Sequence, residues 1–167
     1  MKIPFQHLLI FSFFMCSIFS CTSEENSKPI TPVAPTMDYV FTSDELETMA
    51  LINKYRQDIG LNVLEQNKHV SYIAETHNSY MITNNIVSHD GFEKRFNNIV
   101  EVLGAIKVGE NIAYNYKSPK GALDAWLLSP GHKKIIEGDY THFGISIRQN
   151  KDNKNYYTNI FIKLPGK

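Results

Sequence analysis

Residues 108–116 read VGENIAYNY, a stretch that places a carboxylate and an amide directly ahead of apolar and aromatic residues. If that run is buried, Glu110 and Asn111 lose their hydration, and burying a polar side chain costs free energy unless it finds hydrogen-bond partners. Histidines elsewhere in the chain are the candidate partners. The stretch therefore predicts that the fold supplies partners for Glu110 and Asn111 from other parts of the chain.

The segments before this stretch predict two helices. Thr42 or Ser43 can cap a helix that ends near Gly60 and has Asn53 and Arg56 on its polar face. The apolar residues of this helix recur every three or four positions: Leu46, Met49, Ile52, Tyr55 and Ile59. Asn67 can cap a second helix, and the apolar stripe of that helix includes His77. His77 is therefore expected to point inward, either as a hydrogen-bonded core residue or as part of a site.

Ser88 and His89 precede a third predicted helix. Residues 90–93 read DGFE, an Asp-x-x-Glu pattern typical of a helix N-terminus. His89 would then lie just ahead of that terminus, where the helix dipole disfavours protonation of an imidazole. A neutral imidazole can bind a metal or accept a proton, although a histidine in this position can equally be a surface loop residue.

The C-terminal part predicts two further helices and a hairpin. Ser118-Pro119 and Ser129-Pro130 each pair a capping hydroxyl with proline at the first helical position, and the first of these helices would bury Trp126. His132 would lie in the first turn of the second helix. The alternating runs THFGISIRQ and NYYTNIFIK, joined by NKDNK, predict an antiparallel hairpin.

Residues 1–21 are expected to be a bacterial lipoprotein signal peptide. Lys2 is followed by the apolar run LLIFSFFMCSIFS, which is shorter than the roughly 20 residues of a membrane-spanning helix. Residues 18–21 read IFSC, which resembles a bacterial lipobox, and cleavage after Ser20 would leave Cys21 to carry the lipid. The alternative is an ordinary signal peptide with an incidental cysteine. Residues 22–40 would form a flexible tether that contains prolines, and residues 41–167 the folded domain.

Cysteine usage and charge exclude several classes of protein. Cys16 lies in the segment to be removed and Cys21 would be acylated, so neither a disulfide nor a cysteine metal site is expected. The chain has 17 Lys and Arg against 17 Asp and Glu, without a basic face. We therefore expect no nucleic-acid partner.

Five motifs follow one another along the chain: LINKYRQDIGLNVLE, AETHNSYM, SHDGF, VGENIAYNY and AWLLSPGHKKII. A closing hairpin that begins YTHFGISI follows them. In this order the motifs resemble the CAP superfamily (cysteine-rich secretory proteins, antigen 5 and pathogenesis-related 1 proteins, or the SCP domain), in particular its bacterial branch. The resemblance implies an α+β fold: an α-β-α sandwich with a three-stranded antiparallel sheet between helical layers and an open cleft on one side.

The resemblance also implies a site. In that family the cleft collects two histidines and the glutamate of the Gly-Glu-Asn motif, which correspond by position to His89, His132 and Glu110; His142 competes with His132. Two imidazoles facing Glu110 would explain why a carboxylate is tolerated there. They could also hold a divalent cation such as zinc, with the carboxylate orienting one of them. Many eukaryotic members have a second glutamate where this chain has Ser129, so its set is incomplete.

Three functions fit such a cleft. In the first, it binds a lipid, a sterol, a glycan or a peptide, with or without a metal; its lining would be His89, Glu110, His132, Asn111, Ser88 and His77. In the second, the protein is a hydrolase in which a histidine acts as base, Glu110 orients it, and Ser88 or a metal-bound water attacks. The third is a host-interaction or structural protein with a vestigial site. Neither a Gly-x-Ser-x-Gly nor a His-Glu-x-x-His motif is present, which favours a binding module over an enzyme.

The expected location is the bacterial cell envelope. The lipid on Cys21 would attach the protein to a membrane, and the outer membrane of a Gram-negative cell is the expected one. Glu24-Glu25, close behind the cysteine, resemble signals that carry lipoproteins to the cell surface.

Cys21→Ser should leave the protein unprocessed or released from membranes, because it removes the only thiol of the mature chain that could carry a lipid. Cell fractionation followed by immunoblotting measures both location and processing. Cys16→Ser is the control and should behave like the wild type. Normal processing and full membrane association of Cys21→Ser would refute the anchor.

Overall fold

The computed structural model describes residues 38–166. The expected signal peptide, Cys21, and residues 22–37 of the expected tether lie outside the described residues. Tyr39 is 5% exposed and donates a hydrogen bond to Glu45 Oε1 at 2.8 Å, so the packed part of the chain includes at least Tyr39. In the described part, no helix has the length and apolar character needed to cross a membrane.

Five helices and four strands make up this part of the chain. In chain order they are α1 (Ser43–Asp58), β1 (Glu65–Gln66), α2 (Lys68–Asn84), α3 (Phe92–Leu103), β2 (Lys107–Tyr114), α4 (Pro119–Leu128), α5 (Pro130–Ile136), β3 (His142–Gln149) and β4 (Asn155–Lys163).

The strands form one sheet in the order β1-β3-β4-β2. β3 and β4 are the predicted antiparallel hairpin, and β2 pairs antiparallel with β4 along its whole length. These are the three antiparallel strands that the family resemblance implied. The sheet also has a fourth strand, β1, which is two residues long and pairs with β3 in parallel. β2 is therefore an edge strand, and it carries Glu110 and Asn111.

Helices cover both faces of the sheet, as expected for an α-β-α sandwich. Side chains alternate across a strand, so neighbouring residues of β2 face different layers. Glu110 faces the layer of α2 and α3, where it bonds Arg95, and Asn111 faces the opposite layer, where it bonds the backbone of α5. Each layer has its own apolar core, one including Val70 and Ile99 and the other including Trp126. One strand therefore positions polar groups on both sides of the sheet.

Most helix starts lie where the capping signals predicted. Thr42, Asn67 and Ser118 each accept a hydrogen bond from the backbone in the first turn of α1, α2 and α4. The α3 helix starts within residues 90–93 as predicted, but its capping residue was predicted wrongly. The helix follows Gly91, whose φ of 69° is left-handed and which makes no side-chain capping bond, so Asp90 is not the cap. Glycine adopts this conformation without steric cost, and the backbone turn replaces the side-chain cap.

Arg56 was predicted to lie on the polar face of α1, but it points into the protein. It is fully buried, and its Nη1 donates to the carbonyls of Ile136 at 2.6 Å and Gly138 at 2.9 Å. A buried cation needs such partners, so Arg56 joins α1 to the end of α5. Leu46 and Ile59, which belong to the predicted apolar stripe, are instead 44% and 45% exposed.

Trp126 is in the core between α1, α4 and the sheet, as predicted. It is 1% exposed, and its Nε1 donates to the carbonyl of Ile112 at 2.9 Å. Its ring packs edge-on against Tyr157. Both the apolar surface and the one polar atom of the indole are therefore used in packing α4 against β2.

Trp126→Ala should lower the free energy of unfolding by about 3–5 kcal/mol, because it leaves a cavity and an unpaired carbonyl. Urea denaturation followed by circular dichroism measures the change. Leu128→Ala is the control: Leu128 lies in the same helix but is 85% exposed, so its replacement should change stability by no more than about 0.5 kcal/mol. Equal midpoints for the two variants would contradict a core role for the indole.

Candidate functional site

Glu110 lies at the centre of the candidate site, with two cationic or potentially cationic partners. Its Oε1 accepts hydrogen bonds from His89 Nδ1 at 2.8 Å and Arg95 Nη2 at 2.7 Å, and its Oε2 accepts one from Arg95 Nε at 2.7 Å. The expectation that two imidazoles face Glu110 is therefore half right. His89 is one partner, and the planar guanidinium of Arg95 takes the place expected for the second histidine with a two-pronged geometry that suits a carboxylate.

Arg95 is the site residue that the sequence did not reveal. It is 8% exposed, lies in α3, and also donates from Nη1 to the carbonyl of Asp90 at 2.7 Å. The one available signal is its spacing from Ile99, since residues four apart share a helix face and both are buried. That spacing indicates an inward-facing arginine but does not identify its partner.

The charge of Glu110 is stabilised by these contacts. Burial alone would raise the pKa of Glu110, but the hydrogen bonds from His89 and Arg95 outweigh it, and the pKa lies below the ordinary value of a glutamate. Glu110 is therefore ionised at neutral pH. Because both of its oxygens already accept hydrogen bonds, it holds His89 and Arg95 in place and is poorly available as a base or a metal ligand.

His89 presents one ring nitrogen to the outside. Its Nδ1 faces an ionised carboxylate, which only accepts hydrogen bonds, so Nδ1 carries a hydrogen. In the neutral ring, Nε2 then has the lone pair. The His89 side chain is 53% exposed, whereas that of Glu110 is 1% exposed. The imidazole is thus the accessible member of the pair.

A cleft of about 310 Å³ lies along the edge strand β2, between α3 and α5. His89 and Glu110 line it together with mainly apolar residues, namely Phe92, Val108, Gly109, Ile135 and Tyr140. Gly109 permits this packing, because a Cβ there would collide with Tyr140 Oη and displace the tyrosine. The absence of a side chain lets the tyrosine lie against the strand and form one wall of the cleft.

His132 lies in the first turn of α5, as predicted. Its side chain is half-buried, and burial, followed by the charge of His89, lowers its pKa and favours the neutral ring. Its backbone carbonyl accepts a hydrogen bond from Asn111 Nδ2 at 3.0 Å, so Asn111 ties β2 to α5 as expected. Within residues 38–166, however, the His132 ring makes no hydrogen bond to Glu110.

The other candidate residues lie apart from this cleft. His77 is buried, and its Nε2 donates to the carbonyl of Ser88 at 2.8 Å. The hydroxyl of Ser88 accepts from Asp90 N at 3.3 Å and shapes the turn before α3.

His142, the competitor of His132, does not line the cleft. It is 7% exposed rather than facing solvent, and its partners are Thr141 and Glu65, near β1. The strand order places β3 two strands away from β2. This distance across the sheet separates His142 from His89 and Glu110.

Metal-ligating side chains are sparse in this region. In the part of the chain that the structure describes, no group of three or more His, Cys, Asp or Glu side chains could hold a metal ion. His89 and Glu110 line the cleft, but Glu110 is occupied by Arg95 and His89, and the other imidazole near enough to interact with His89 is that of His132. Two imidazoles are one protein ligand short of an ordinary catalytic zinc centre.

The fold has relatives among known proteins. The model of the cysteine-rich secretory protein family, CAP, matches residues 49–161. The uncharacterized membrane protein YlbC of Bacillus subtilis (strain 168) is 35% identical over 128 residues, which cover 73% of this chain and 35% of YlbC. The chain thus spans little more than a third of that relative.

Two solved structures have the same architecture. An extracellular protein containing an SCP domain from Bacillus anthracis str. Ames matches with a TM-score of 0.63 and 28% identity, over 72% of this chain and 40% of that chain. An outer surface protein from Borrelia burgdorferi matches with a TM-score of 0.67 and 21% identity, over 75% of this chain and 96% of that chain. The second likeness concerns the fold alone.

Glu110→Gln should lower the free energy of unfolding by about 3–5 kcal/mol at neutral pH, because it leaves the Arg95 guanidinium buried without its counter-charge. The pKa of Glu110 is lower in the folded state than in the unfolded state. Its stabilising contribution is therefore present above the unfolded carboxyl pKa and is lost as the pH falls through the folded pKa. The difference between wild type and variant should shrink on acidification, as measured by urea denaturation at a series of pH values.

Two further variants test the cause of this loss. Glu93→Gln changes an exposed glutamate of α3 and should leave stability nearly unchanged. Combining Glu110→Gln with Arg95→Met removes both charges and should recover much of the loss. A single Glu110→Gln variant as stable as the wild type at neutral pH would show that the ion pair does not stabilise the fold.

Proposed function

The chain belongs to the cysteine-rich secretory protein (CAP) family, and from this premise we propose that it is an exported, lipid-anchored binding module. Its ligand is a small apolar molecule that ends in a hydroxyl group, such as a fatty alcohol or the hydroxyl end of a sterol. The ligand occupies the cleft between α3 and α5. Glycans and peptides are less suited to this cleft, because its available polar atoms are few: Glu110 is already bonded to His89 and Arg95, which leaves His89 Nε2 and the Tyr140 hydroxyl.

This proposal rests on the combination of an apolar wall with two polar atoms, His89 Nε2 and Tyr140 Oη. Phe92, Val108 and Ile135 offer apolar contact. His89 Nε2 accepts a hydrogen bond in the neutral ring, because Nδ1 already donates to Glu110. Tyr140 Oη has no hydrogen-bond partner within residues 38–166. A hydroxyl group both donates and accepts, so it can satisfy both polar atoms while its chain packs on the wall, as is usual for small-molecule sites.

The hydrolase alternative is supported by one observation, the His89–Glu110 hydrogen bond. Such a pair could activate a water through His89 Nε2. Ser88 is a poor nucleophile here, because its hydroxyl is turned to Asp90 N and it is adjacent to His89 in the chain. The described residues place no hydroxyl or thiol in hydrogen-bond contact with the His89 ring, so the binding function is the better supported one.

The location is proposed from the relatives and from the N-terminal sequence. YlbC is named a membrane protein, and the related Bacillus anthracis protein is named extracellular. Both names support a domain that works outside the cytoplasm. Together with the lipobox-like residues 18–21, they favour attachment to a bacterial membrane through Cys21, with the domain in the cell envelope or at the cell surface.

A second candidate function adds a divalent cation such as zinc, held by His89 Nε2 and His132. The hydrogen bond from His89 Nδ1 to Glu110 leaves Nε2 free and makes it a better ligand. The lowered pKa of His132 keeps that ring neutral, the form that binds a metal. With two protein ligands, such an ion would be held weakly.

Isothermal titration of n-octanol into the mature chain without its lipid tests the binding function. Wild type should bind n-octanol, and methyl heptyl ether, which is similar in size but cannot donate a hydrogen bond, should bind more weakly. His89→Ala and Tyr140→Phe should each weaken n-octanol binding by about tenfold, because each removes one hydrogen bond. Tyr116→Phe, outside the cleft, is the control.

The same proteins distinguish the alternatives. The proposed role of the cleft would be refuted if wild type bound n-octanol and methyl heptyl ether equally. It would also be refuted if His89→Ala and Tyr140→Phe bound n-octanol as tightly as wild type. Zinc titrated into wild type, His89→Ala and His132→Ala tests the metal; wild type should bind most tightly, and less tightly at acidic pH because protons compete for the imidazoles. Equal zinc affinity in the three proteins would exclude these histidines as ligands.

A further inference from the structure

A second hollow, between α2 and α3, has a different chemistry, and we propose that it binds one neutral sugar ring. This α2–α3 groove has a volume of about 440 Å³, and its lining includes Ile73, His77, Tyr80, Asp90 and Lys94. It shares no lining residue with the cleft beside β2. The proposal is therefore independent of the function proposed for that cleft.

His77 offers a hydrogen-bond acceptor to a ligand in the groove. The residue is 3% exposed, and its Nε2 faces the carbonyl of Ser88, which can only accept, so Nε2 carries a hydrogen. In the neutral ring the lone pair is on Nδ1, which has no hydrogen-bond partner among the described residues. Burial, and after it the charge of Arg95, lowers the pKa of His77 and favours that neutral ring. A ligand hydroxyl would satisfy this acceptor.

Tyr80 provides a flat aromatic surface at the rim of the groove. Its ring stacks on that of His77, with centroids 5.9 Å apart and planes 17° apart, yet it is 42% exposed. The stack holds the ring in one orientation while leaving much of it open to a ligand. A sugar ring presents C–H groups on one face and hydroxyls around its edge, so it can pack on an aromatic ring and form hydrogen bonds at the same time.

The charges around the groove favour a neutral ligand. Lys94 makes no ion pair within residues 38–166, and Asp90 accepts a hydrogen bond from Tyr80 Oη at 3.4 Å. The guanidinium of Arg95, which also lines the groove, is neutralised by Glu110. The lining therefore carries one ammonium and one carboxylate whose charges cancel, so its net charge attracts neither an anion nor a cation.

Asn98 adds a further donor to the same wall. Its Oδ1 is hydrogen-bonded to His69 Nε2 at 2.9 Å, which leaves the Nδ2 amide hydrogens for a ligand. The groove thus combines acceptors, donors and one aromatic face. Sugar hydroxyls match such a mixed set because each can both donate and accept. A purely apolar ligand would leave His77 and Asn98 without partners.

The test is a titration of the full-length protein, with ¹³C-labelled histidine, in micelles of a detergent without a sugar headgroup. The probes are glucose, methyl glucoside, glucosamine and glucuronate. Glucose should shift the ring signals of His77, assigned with His77→Gln, in a saturable way and leave those of His89 unchanged. The positively charged glucosamine and the negatively charged glucuronate should bind more weakly than glucose. Methyl glucoside carries its sugar ring as a glycoside, as the end of a glycan does. If methyl glucoside binds as tightly as glucose, the ligand is the end of a glycan; if it binds more weakly, the ligand is a free sugar.

Tyr80→Ala should weaken glucose binding by about tenfold, because it removes the aromatic face. Tyr72→Ala is the matched control: Tyr72 lies in the same helix and is 40% exposed, but it does not line the groove. The Tyr72→Ala variant should bind glucose with the same affinity as the wild type. Because both side chains are exposed, both variants should fold.

Several results would overturn the sugar site. They are the absence of saturable His77 shifts with any of the probes, shifts of His89 in place of His77, tighter binding of a charged sugar than of glucose, and equal affinity of Tyr80→Ala and wild type. Each of these contradicts one of the contacts from which the site is inferred.

Discussion

The buried ion pair between Arg95 and Glu110 is the interaction on which the candidate site depends. Removing a carboxylate from water costs several kcal/mol unless charged partners replace its hydration. Here Arg95 bonds both oxygens of Glu110, and His89 shares one of them. Because Arg95 belongs to α3 and Glu110 to β2, the pair also fixes the helix on the edge of the sheet. The exposed imidazole of His89 is held in place by the same carboxylate.

Residues of the edge strand β2 contact the elements on both sides of the cleft. Its alternation sends Glu110 toward α3 and Asn111 toward α5, where the Asn111 amide bonds the backbone carbonyl of His132. Between the layers, Gly109 leaves room for Tyr140. Gly109, Glu110 and Asn111 therefore position Tyr140, His89 and α5, respectively. Family membership accounts for this framework but does not name the ligand, because a shared fold supports many functions.

The two hollows on either side of α3 differ in the chemistry that they offer. The cleft beside β2 offers His89 and Tyr140 as its available polar groups, because its third polar residue, Glu110, is already bonded to His89 and Arg95. The α2–α3 groove combines the aromatic surface of Tyr80 with several polar groups. Physically they are neighbours, since His77 in the groove bonds the carbonyl of Ser88, the residue before His89. Each hollow therefore favours its own class of ligand within one small domain.

The sequence by itself determined those features that depend on residues close together in the chain. Capping hydroxyls and amides located the starts of α1, α2 and α4, alternation located the β3–β4 hairpin, and helical spacing placed Trp126 and His77 inside. These signals are local because a cap bonds the next turn and a periodic stripe marks one face. The ordered motifs also identified the family, and through it the neighbouring positions of His89 and Glu110.

The tertiary structure alone decided which partners the buried polar groups have. Arg56 looks like a surface residue until α5 supplies carbonyls for it, and Arg95 shows its role once α3 packs over Glu110. In the same way, strand order rather than sequence separates His142 from the cleft. The physical reason is that a buried charge is stabilised by whichever groups meet it across a packed interface, and those groups come from distant parts of the chain.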